Sequence, residues 1–511
     1  MLKVLLLSGC LLGAACGQAL LKPALHDPAR VPAPTPGAPV LKAHLKSGDV
    51  YLLRSWELTD SGTVLRGSGV RYNAYRAAVD SGQVAVPADS IALLETNTQA
   101  AARPFGLQAL AVMTTVWGSI SAICLADPKS CFGSCPTFYL DDRPAVPAAE
   151  GFSGSVARVL EARDVDALYD ARPTGARFAL EMRNEALETH AVRTVRLLAV
   201  PRPSAGRGRV VATPDARFFP VRELQAPDYC RAPEGDCLAA VRGLDTLERT
   251  SPADSNDLAA RETIELGFPA AAAPHGIVIG ARNTLLTTFL FYQTMAYMGR
   301  DVGAWLAALE RSDSVAARRT LGMARLLGDM EVQVADANGV WRAVGTFHEV
   351  GPIATDVQVI PFEGVNPAVP LRVRLRLVKG NWRLGYVALA RLGAPVAPLT
   401  LEPDRVERDA RPDSAALAAL RDPDRYLFTH PGDRYRIEFA LPPRPETFEL
   451  FLETQGYYYE WMRAGWLREE DPVMFGLILS DPAAALRRLA PLYKRHEPTM
   501  ERVFWESRFG R

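Results

Sequence analysis

The chain has 511 residues, and its 58 Lys or Arg residues balance its 58 Asp or Glu residues. A net charge of zero argues against a nucleic-acid-binding protein, which normally carries a basic excess. A hydrophobic fraction of 48% is typical of a globular protein, which excludes general disorder.

The first 16 residues have the composition of a secretion signal. Lys3 precedes the apolar run 4–12, and three small residues then lead to Cys16. This run is much shorter than the roughly 18 apolar residues of a membrane span. The ending resembles the lipobox of bacterial lipoproteins, in which the cysteine carries the lipid. We therefore predict a lipoprotein signal peptide at 1–16 and lipidation of Cys16.

Two alternatives to this interpretation stay open. Cys10 follows Leu7, which suits the first lipobox position better, but the apolar run would then shrink to residues 4–7. The other alternative is an ordinary signal peptide without a lipid.

Residues 17–40 contain six prolines, and such a stretch is extended and semi-rigid. We predict a linker here that separates a lipid anchor from the folded body. Residues 41–100 follow as a small β domain, because Ser-Gly pairs at 47–48, 61–62 and 81–82 separate short apolar runs.

Residues 101–130 are predicted to form an apolar helix, since 106–126 contain no charge. By length alone this segment could span a membrane. A single span after an exported N-terminus would place the later cysteines in the reducing cytosol. The favoured prediction is therefore a buried or surface-docked helix.

The remaining chain predicts a β-rich α+β fold. We expect a β-rich domain at 131–282, helices at 283–330, a sandwich-like β domain at 331–455 and helices at 456–511. The clearest strand is 371–377, where apolar residues alternate with arginines. The predicted architecture is an N-terminal β-meander, central sandwich-like regions with packed helices, and a helical C-terminus.

Export would place five cysteines besides the anchor in an oxidising compartment. Cys131 with Cys135, and Cys230 with Cys237, are the natural local pairs, which leaves Cys124 over. No standard zinc-ligand spacing is present, and we predict no metal.

Glu188 and His190 are the strongest catalytic candidates. Residues two apart on a strand share one face, so the two side chains could act as a base pair in an envelope hydrolase. The alternative is a polar hairpin. The sequence contains no P-loop or dinucleotide fingerprint, and we predict no cofactor.

Two further sets of residues are binding candidates. The arginines of the predicted strand could bind an anionic glycan or lipid head group, or could form a solvated face. The C-terminal aromatic residues could stack on sugars or hold a partner protein, or could pack a helix against the core. The candidates are Arg372, Arg374, Arg376, Tyr457, Tyr458, Trp461 and Trp466.

Several segments together resemble uncharacterised bacterial envelope lipoproteins. They are 131–139 (CFGSCPTFY), 184–190, the arginine strand with 382–388, 431–433 and 450–461. The chain also resembles the β-rich regions that accompany UnbV-type domains. It departs from them after Trp382, where an arginine takes the place of the usual acidic residue. Neither resemblance implies a catalytic residue.

The sequence thus predicts a non-catalytic, lipid-anchored protein of the bacterial cell envelope, with a binding or assembly role. The membrane is the expected partner through the anchor, together with an envelope protein or glycan. Gly17 and Gln18 follow Cys16, and neither is an aspartate, which by resemblance to enterobacterial sorting favours the outer membrane, facing the periplasm or the surface. The alternatives are the hydrolase and an integral membrane component that spans at 106–126.

Overall fold

The computed structural model describes ten segments, which form two compact units that divide between residues 117 and 118. The described segments are 20–59, 62–74, 77–100, 135–203, 208–270, 275–310, 322–336, 338–348, 350–363 and 369–506. The predicted signal peptide with Cys10 and Cys16, the predicted apolar helix at 101–130 with Cys124, and Cys131 lie outside them.

The first unit is one antiparallel sheet with the strand order β1-β6-β2-β3-β4-β5. Leu41, Leu53, Leu65 and Leu94 are completely buried in its core. Gly48 has a φ of +91° and makes the predicted turn between β2 and β3, whereas the pair at 81–82 lies within β5. The strands are β1 Leu20–His26, β2 Leu41–Leu45, β3 Val50–Thr59, β4 Val64–Tyr72, β5 Ala78–Pro87 and β6 Ile91–Ala100.

The proline-rich segment is part of this unit, so the prediction of a free linker at 17–40 was wrong for residues 20–40. β1 pairs with β6, and the indole N–H of Trp56 donates to the Pro32 carbonyl at 2.6 Å. Pro23 is tolerated in β1 because this is an edge strand, where the missing N–H removes no essential ladder bond.

The second unit contains three sheets and a closed barrel, which together with its helices confirm the β-rich α+β fold class. The strands are β7 Thr137–Leu140, β8 Arg143–Glu150, β9 Ala162–Ala167, β10 Arg177–Arg183, β11 Glu188–Pro201, β12 Arg209–Ala212, β13 Phe218–Gln225, β14 Tyr229–Ala232, β15 Gly235–Asp236, β16 Arg261–Phe268, β17 His275–Asn283, β18 Met330–Ala335, β19 Trp341–Phe347, β20 Asp356–Phe362, β21 Leu371–Val378, β22 Trp382–Leu392, β23 Leu399–Leu401, β24 Pro403–Arg408, β25 Arg411–Pro412, β26 Leu427–Thr429, β27 Arg434–Ala440 and β28 Phe448–Glu460.

The strand orders show how the sequence segments combine. One sheet runs β25-β24-β27-β10-β7-β8, and a second runs β23-β11-β28-β9 with β26 also paired to β11. The third runs β15-β14-β16-β21-β18-β19, and the barrel runs β12-β13-β22-β17-β20. Strands from 131–282 and 331–455 therefore share every one of these sheets. The predicted boundaries between those segments do not separate folded units.

The helices of the second unit pack mainly in one cluster. Asp471 caps α7 by accepting hydrogen bonds from the N–H groups of Val473 and Met474, and Pro472 occupies the first turn. No described helix is long and apolar enough to cross a membrane. The helices are α1 Leu238–Val241, α2 Leu286–Met298, α3 Val302–Glu310, α4 Gly322–Leu327, α5 Ser414–Arg421, α6 Ala464–Glu469, α7 Pro472–Ser480 and α8 Pro482–Glu506.

The C-terminal helices begin later than predicted. Residues 456–460 belong to β28, which pairs with β11 along its whole length, and the first helix starts at Ala464. The aromatic residues at 457–459 thus alternate along a strand, because cross-strand pairing decides the conformation of this short run.

Candidate ligand-binding cavity

A cavity of about 180 Å³ lies between the helices and the start of the first sheet of the second unit. Helix α2 is uncharged and buried on most sides. It supplies much of the wall of the cavity. One set of its side chains faces the cavity, while Phe289 packs on Tyr493 of α8 with a ring separation of 5.2 Å. The apolar wall includes Leu290, Phe291, Met295, Met298, Trp305, Phe475 and Ile478.

The cavity reaches the surface on one side. Among its lining residues, Gly154 is exposed, Leu479 is 38% exposed, and Trp305 and Phe475 are half-buried. Gly154 lies in the loop that follows β8, and a Cβ atom added there would meet nothing within 4 Å.

The opposite wall carries polar groups from β8, from β28 and from Cys135, which precedes β7. Glu150 is almost fully buried, and its Oε2 accepts a hydrogen bond from the Ile353 N–H at 2.7 Å. The Tyr458 hydroxyl donates to the Ser153 carbonyl at 3.1 Å. Gly351 is required beside Glu150, since it has a φ of +90° and a Cβ there would lie 2.5 Å from the carboxyl group.

Cys135 also lines this polar end and is a free, buried thiol. Burial, and then the negative charge of Glu150, raise the pKa of the Cys135 thiol well above its usual range. The thiol therefore stays protonated at neutral pH and is a poor nucleophile.

A sealed polar network lies behind this wall, where β11 pairs with β28. Glu188 Oε1 and His190 Nε2 are 2.8 Å apart, and both side chains are completely buried. His190 Nδ1 is 3.1 Å from the Thr429 hydroxyl. The two residues share one face of β11, as their spacing indicates, but neither lines the cavity.

The network reaches the cavity through Tyr292, whose hydroxyl donates to Glu460. Glu460 also accepts a hydrogen bond from Arg463 at 2.7 Å. Burial, followed by the charge of Glu188, raises the pKa of Glu460 well above its usual range. The β11 and β28 register explains this proximity, because Glu188 lies opposite Glu460 and His190 lies opposite Tyr458.

The arginine candidates lie on β21 and are engaged with neighbours. Arg374 is 2.5 Å from Glu265, Arg372 is 3.7 Å from the same carboxylate, and Arg376 is 3.3 Å from Glu331. The guanidinium groups of Arg372 and Arg374 also lie over the Trp341 ring. These pairs reduce the positive charge of the face, which weakens the hypothesis of an anion-binding surface.

The aromatic candidates do not form an exposed platform. Tyr457, Tyr458 and Trp466 are buried, and the half-buried Trp461 donates from its indole N–H to the Thr189 hydroxyl at 2.9 Å. Only Tyr458 among these four residues lines the cavity.

The cysteine prediction has two outcomes. Cys230 and Cys237 form a disulfide, which confirms that pair. Cys135 is free, and its suggested partner Cys131 lies outside the described residues. Within the described segments, no group of three His, Cys, Asp or Glu side chains could hold a metal ion.

Sequence reasoning did not identify the cavity, its polar residues Glu150 and Tyr292, or Glu460 behind them. Their positions are far apart along the chain, and none belongs to a recognisable motif. The one available signal was the uncharged stretch now seen as α2, which indicates a helix surrounded by apolar structure.

Comparisons with known proteins do not identify a family. No protein-family model and no curated protein matches the chain. Among solved structures, a GH31 α-xylosidase from Xanthomonas citri aligns with 85% of this chain at 8% identity and a TM-score of 0.15. The alignment spans 38% of that enzyme. At this TM-score, the alignment carries no information about fold or activity.

Proposed function

We propose that this protein is a non-catalytic, lipid-anchored protein of the bacterial cell envelope that binds a small, mainly apolar molecule. The cavity beside α2 is the observation that carries this proposal. An apolar cavity of roughly 150 Å³ is large enough for benzene, so a volume of about 180 Å³ suits one aromatic ring with a small substituent. An apolar wall with a few polar groups at one end is typical of ligand sites.

The burial of Glu188 and His190 and the raised pKa of Cys135 support a binding role over a hydrolytic one. A general base must come within hydrogen-bond distance of its substrate, directly or through one water. Glu188 and His190 are completely buried and do not line the cavity. Cys135 does line it, but its raised pKa keeps the thiol protonated. The hydrolase alternative therefore lacks an accessible base or nucleophile among these candidates.

Cys16 and the apolar run before it support the lipid anchor, and the absence of aspartate at Gly17 and Gln18 supports the outer-membrane location, facing the periplasm or the surface. Through the anchor, the protein would meet envelope proteins and glycans. Mass analysis of the N-terminal peptide from native membranes tests this proposal. A diacylglyceryl group on Cys16 is the expected result, and a peptide that still contains Met1 would contradict it.

The integral-membrane alternative depends on 106–126, outside the described residues. A Cys16→Ala variant distinguishes it from a lipid anchor. The proposal predicts that this variant is found in the fraction without membranes. A variant that stays in the membrane after removal of peripheral protein would favour a span.

Ligand binding is tested with benzyl alcohol, a neutral probe of the size that the cavity suits. Calorimetric titration should detect binding to the wild-type protein. Gly154→Trp should weaken this binding at least about tenfold, because the new ring fills the open side of the cavity.

Gly175→Trp is the matched control, since Gly175 is also an exposed loop glycine and an added Cβ would have no neighbour closer than 4.0 Å. This variant should bind like the wild type. Equal binding to all three proteins, or no binding to any of them, would contradict the proposed function.

A further inference from the structure

Methionine side chains are concentrated in the wall of the cavity. Met295, Met298 and Met323 line it, so three of the ten methionines of the chain lie among its 23 lining residues. An even distribution of methionine along the 511 residues would place fewer than one there. Sulfur is therefore a chemical feature that distinguishes this wall from the rest of the protein.

Two helices bring these thioether groups to the same space. Met295 and Met298 follow Phe291 on α2 by four and seven residues, and residues at this spacing share one face of a helix. Met323 comes from α4. All three methionines are buried, so a bound molecule meets their side chains inside the protein and away from bulk water.

Aromatic rings complete the apolar wall. Phe291 on α2, Trp305 on α3 and Phe475 on α7 line the cavity, so a ligand meets rings from three different helices. Aromatic rings attract each other in offset or edge-to-face arrangements, because the negative face of one ring meets the positive edge of the other. A thioether sulfur is polarizable and also makes favourable contacts with an aromatic ring.

These contacts distinguish an aromatic ligand from a saturated one. Each sulfur–ring or ring–ring contact strengthens binding by roughly twofold to tenfold beyond the burial of area. A saturated ring lacks the π-electrons that both contacts require. Hydrophobic burial alone would favour the saturated ring, because its additional hydrogens enlarge its apolar surface. The two effects therefore predict opposite rankings for ligands of similar size.

We infer that the cavity selects a molecule with a single aromatic ring over one with a saturated ring, and that Met295 and Met298 determine this specificity. This inference rests on the proposed binding function and names its ligand class. Several contacts with sulfur and with rings act together in this wall, so they should outweigh the larger apolar surface of the saturated ring.

Benzyl alcohol and cyclohexylmethanol test the inference, because they carry the same hydroxymethyl group on an aromatic and on a saturated ring. Calorimetric titration of the full-length protein should show that benzyl alcohol binds at least about fivefold more tightly. Equal binding of the two probes, or tighter binding of cyclohexylmethanol, would overturn the inference.

Replacing both Met295 and Met298 by Leu separates the effect of sulfur from that of cavity shape, since Leu nearly conserves the volume of Met. The variant should bind benzyl alcohol at least about threefold more weakly and cyclohexylmethanol as the wild type does. If the double variant does not fold, Met298→Leu is measured alone. An unchanged ratio of the two affinities in a folded variant would show that the methionines do not determine the specificity.

Met474→Leu is the matched control. Met474 is buried in the same cluster of helices but does not line the cavity. This variant should leave both affinities unchanged. A loss of benzyl alcohol binding in Met474→Leu as large as that in the double variant would contradict a direct role of the lining sulfurs.

Failure of the selectivity can be told apart from failure of the binding function. If neither probe binds the wild-type protein, the proposed function itself is wrong. If both bind equally well and Gly154→Trp weakens both, the binding function stands and the selectivity for aromatic rings is wrong.

Discussion

The sealed network at Glu188 and His190 differs from the adjacent cavity in access, although strand β28 contributes to both. In the network, all side chains that carry reactive groups are buried and hydrogen-bonded to each other. In the cavity, Tyr458 and Glu150 line open space next to an apolar wall. The comparison shows that a dense group of reactive residues can serve the fold, while the binding site forms from scattered residues beside it.

The largest effect should come from breaking the network. In Glu188→Ala, His190 keeps its buried position and loses the carboxylate that is 2.8 Å away. We expect the free energy of unfolding to fall by about 3 kcal/mol, measured by urea denaturation. Glu188→Gln keeps an acceptor and should lose clearly less. Equal losses for the two variants, or a loss of benzyl alcohol binding in folded Glu188→Gln, would contradict the division between network and cavity.

Three buried aspartates, Asp164, Asp166 and Asp356, should make the free energy of unfolding depend on pH. Burial raises the pKa of Asp356 to about 7 and that of Asp164 to about 6, and it raises the pKa of Asp166 as well. The folded protein therefore binds more protons than the unfolded chain from about pH 4 to pH 7. The free energy of unfolding should fall as the pH rises through this interval.

Asp356→Asn tests this expectation, because the amide stays neutral at every pH. At pH 8 we expect the variant to be more stable than the wild type by on the order of 2 kcal/mol, and at pH 4 the advantage should vanish. Asp424→Asn, at an exposed position, should change neither value. A wild-type stability that rises from pH 5 to pH 8 would contradict the expectation.

The smallest effect should come from the exposed arginines. Arg376 and Glu331 are 3.3 Å apart, with 44% and 30% of their side chains exposed. An exposed pair contributes little, so Arg376→Ala should change the free energy of unfolding by less than about 1 kcal/mol. A loss as large as that of Glu188→Ala would show that exposure to water does not decide how much a charged pair contributes to stability.

Local patterns in the sequence predicted local structure well. The alternation at 371–377 gives β21, with its arginines on the outer face. The disulfide between Cys230 and Cys237 confirms the pair that their short spacing predicted.

Long-range pairing could not be predicted. β11 pairs with β28 more than 240 residues later, and no local pattern specifies that partner. The proline-rich segment supplies an edge strand, because prolines are tolerated where one side of the strand lacks a neighbour. The cavity depends on such pairings, since they bring Cys135, Glu150 and Tyr458 together beside helix α2.

A crystal structure of the protein under xenon pressure would test the binding cavity most directly, because xenon enters apolar cavities without needing a polar partner. We expect a xenon atom against Met295 and Ile478, between α2 and α7. A crystal in which the chain's own side chains fill this space, or in which xenon binds only elsewhere, would contradict it.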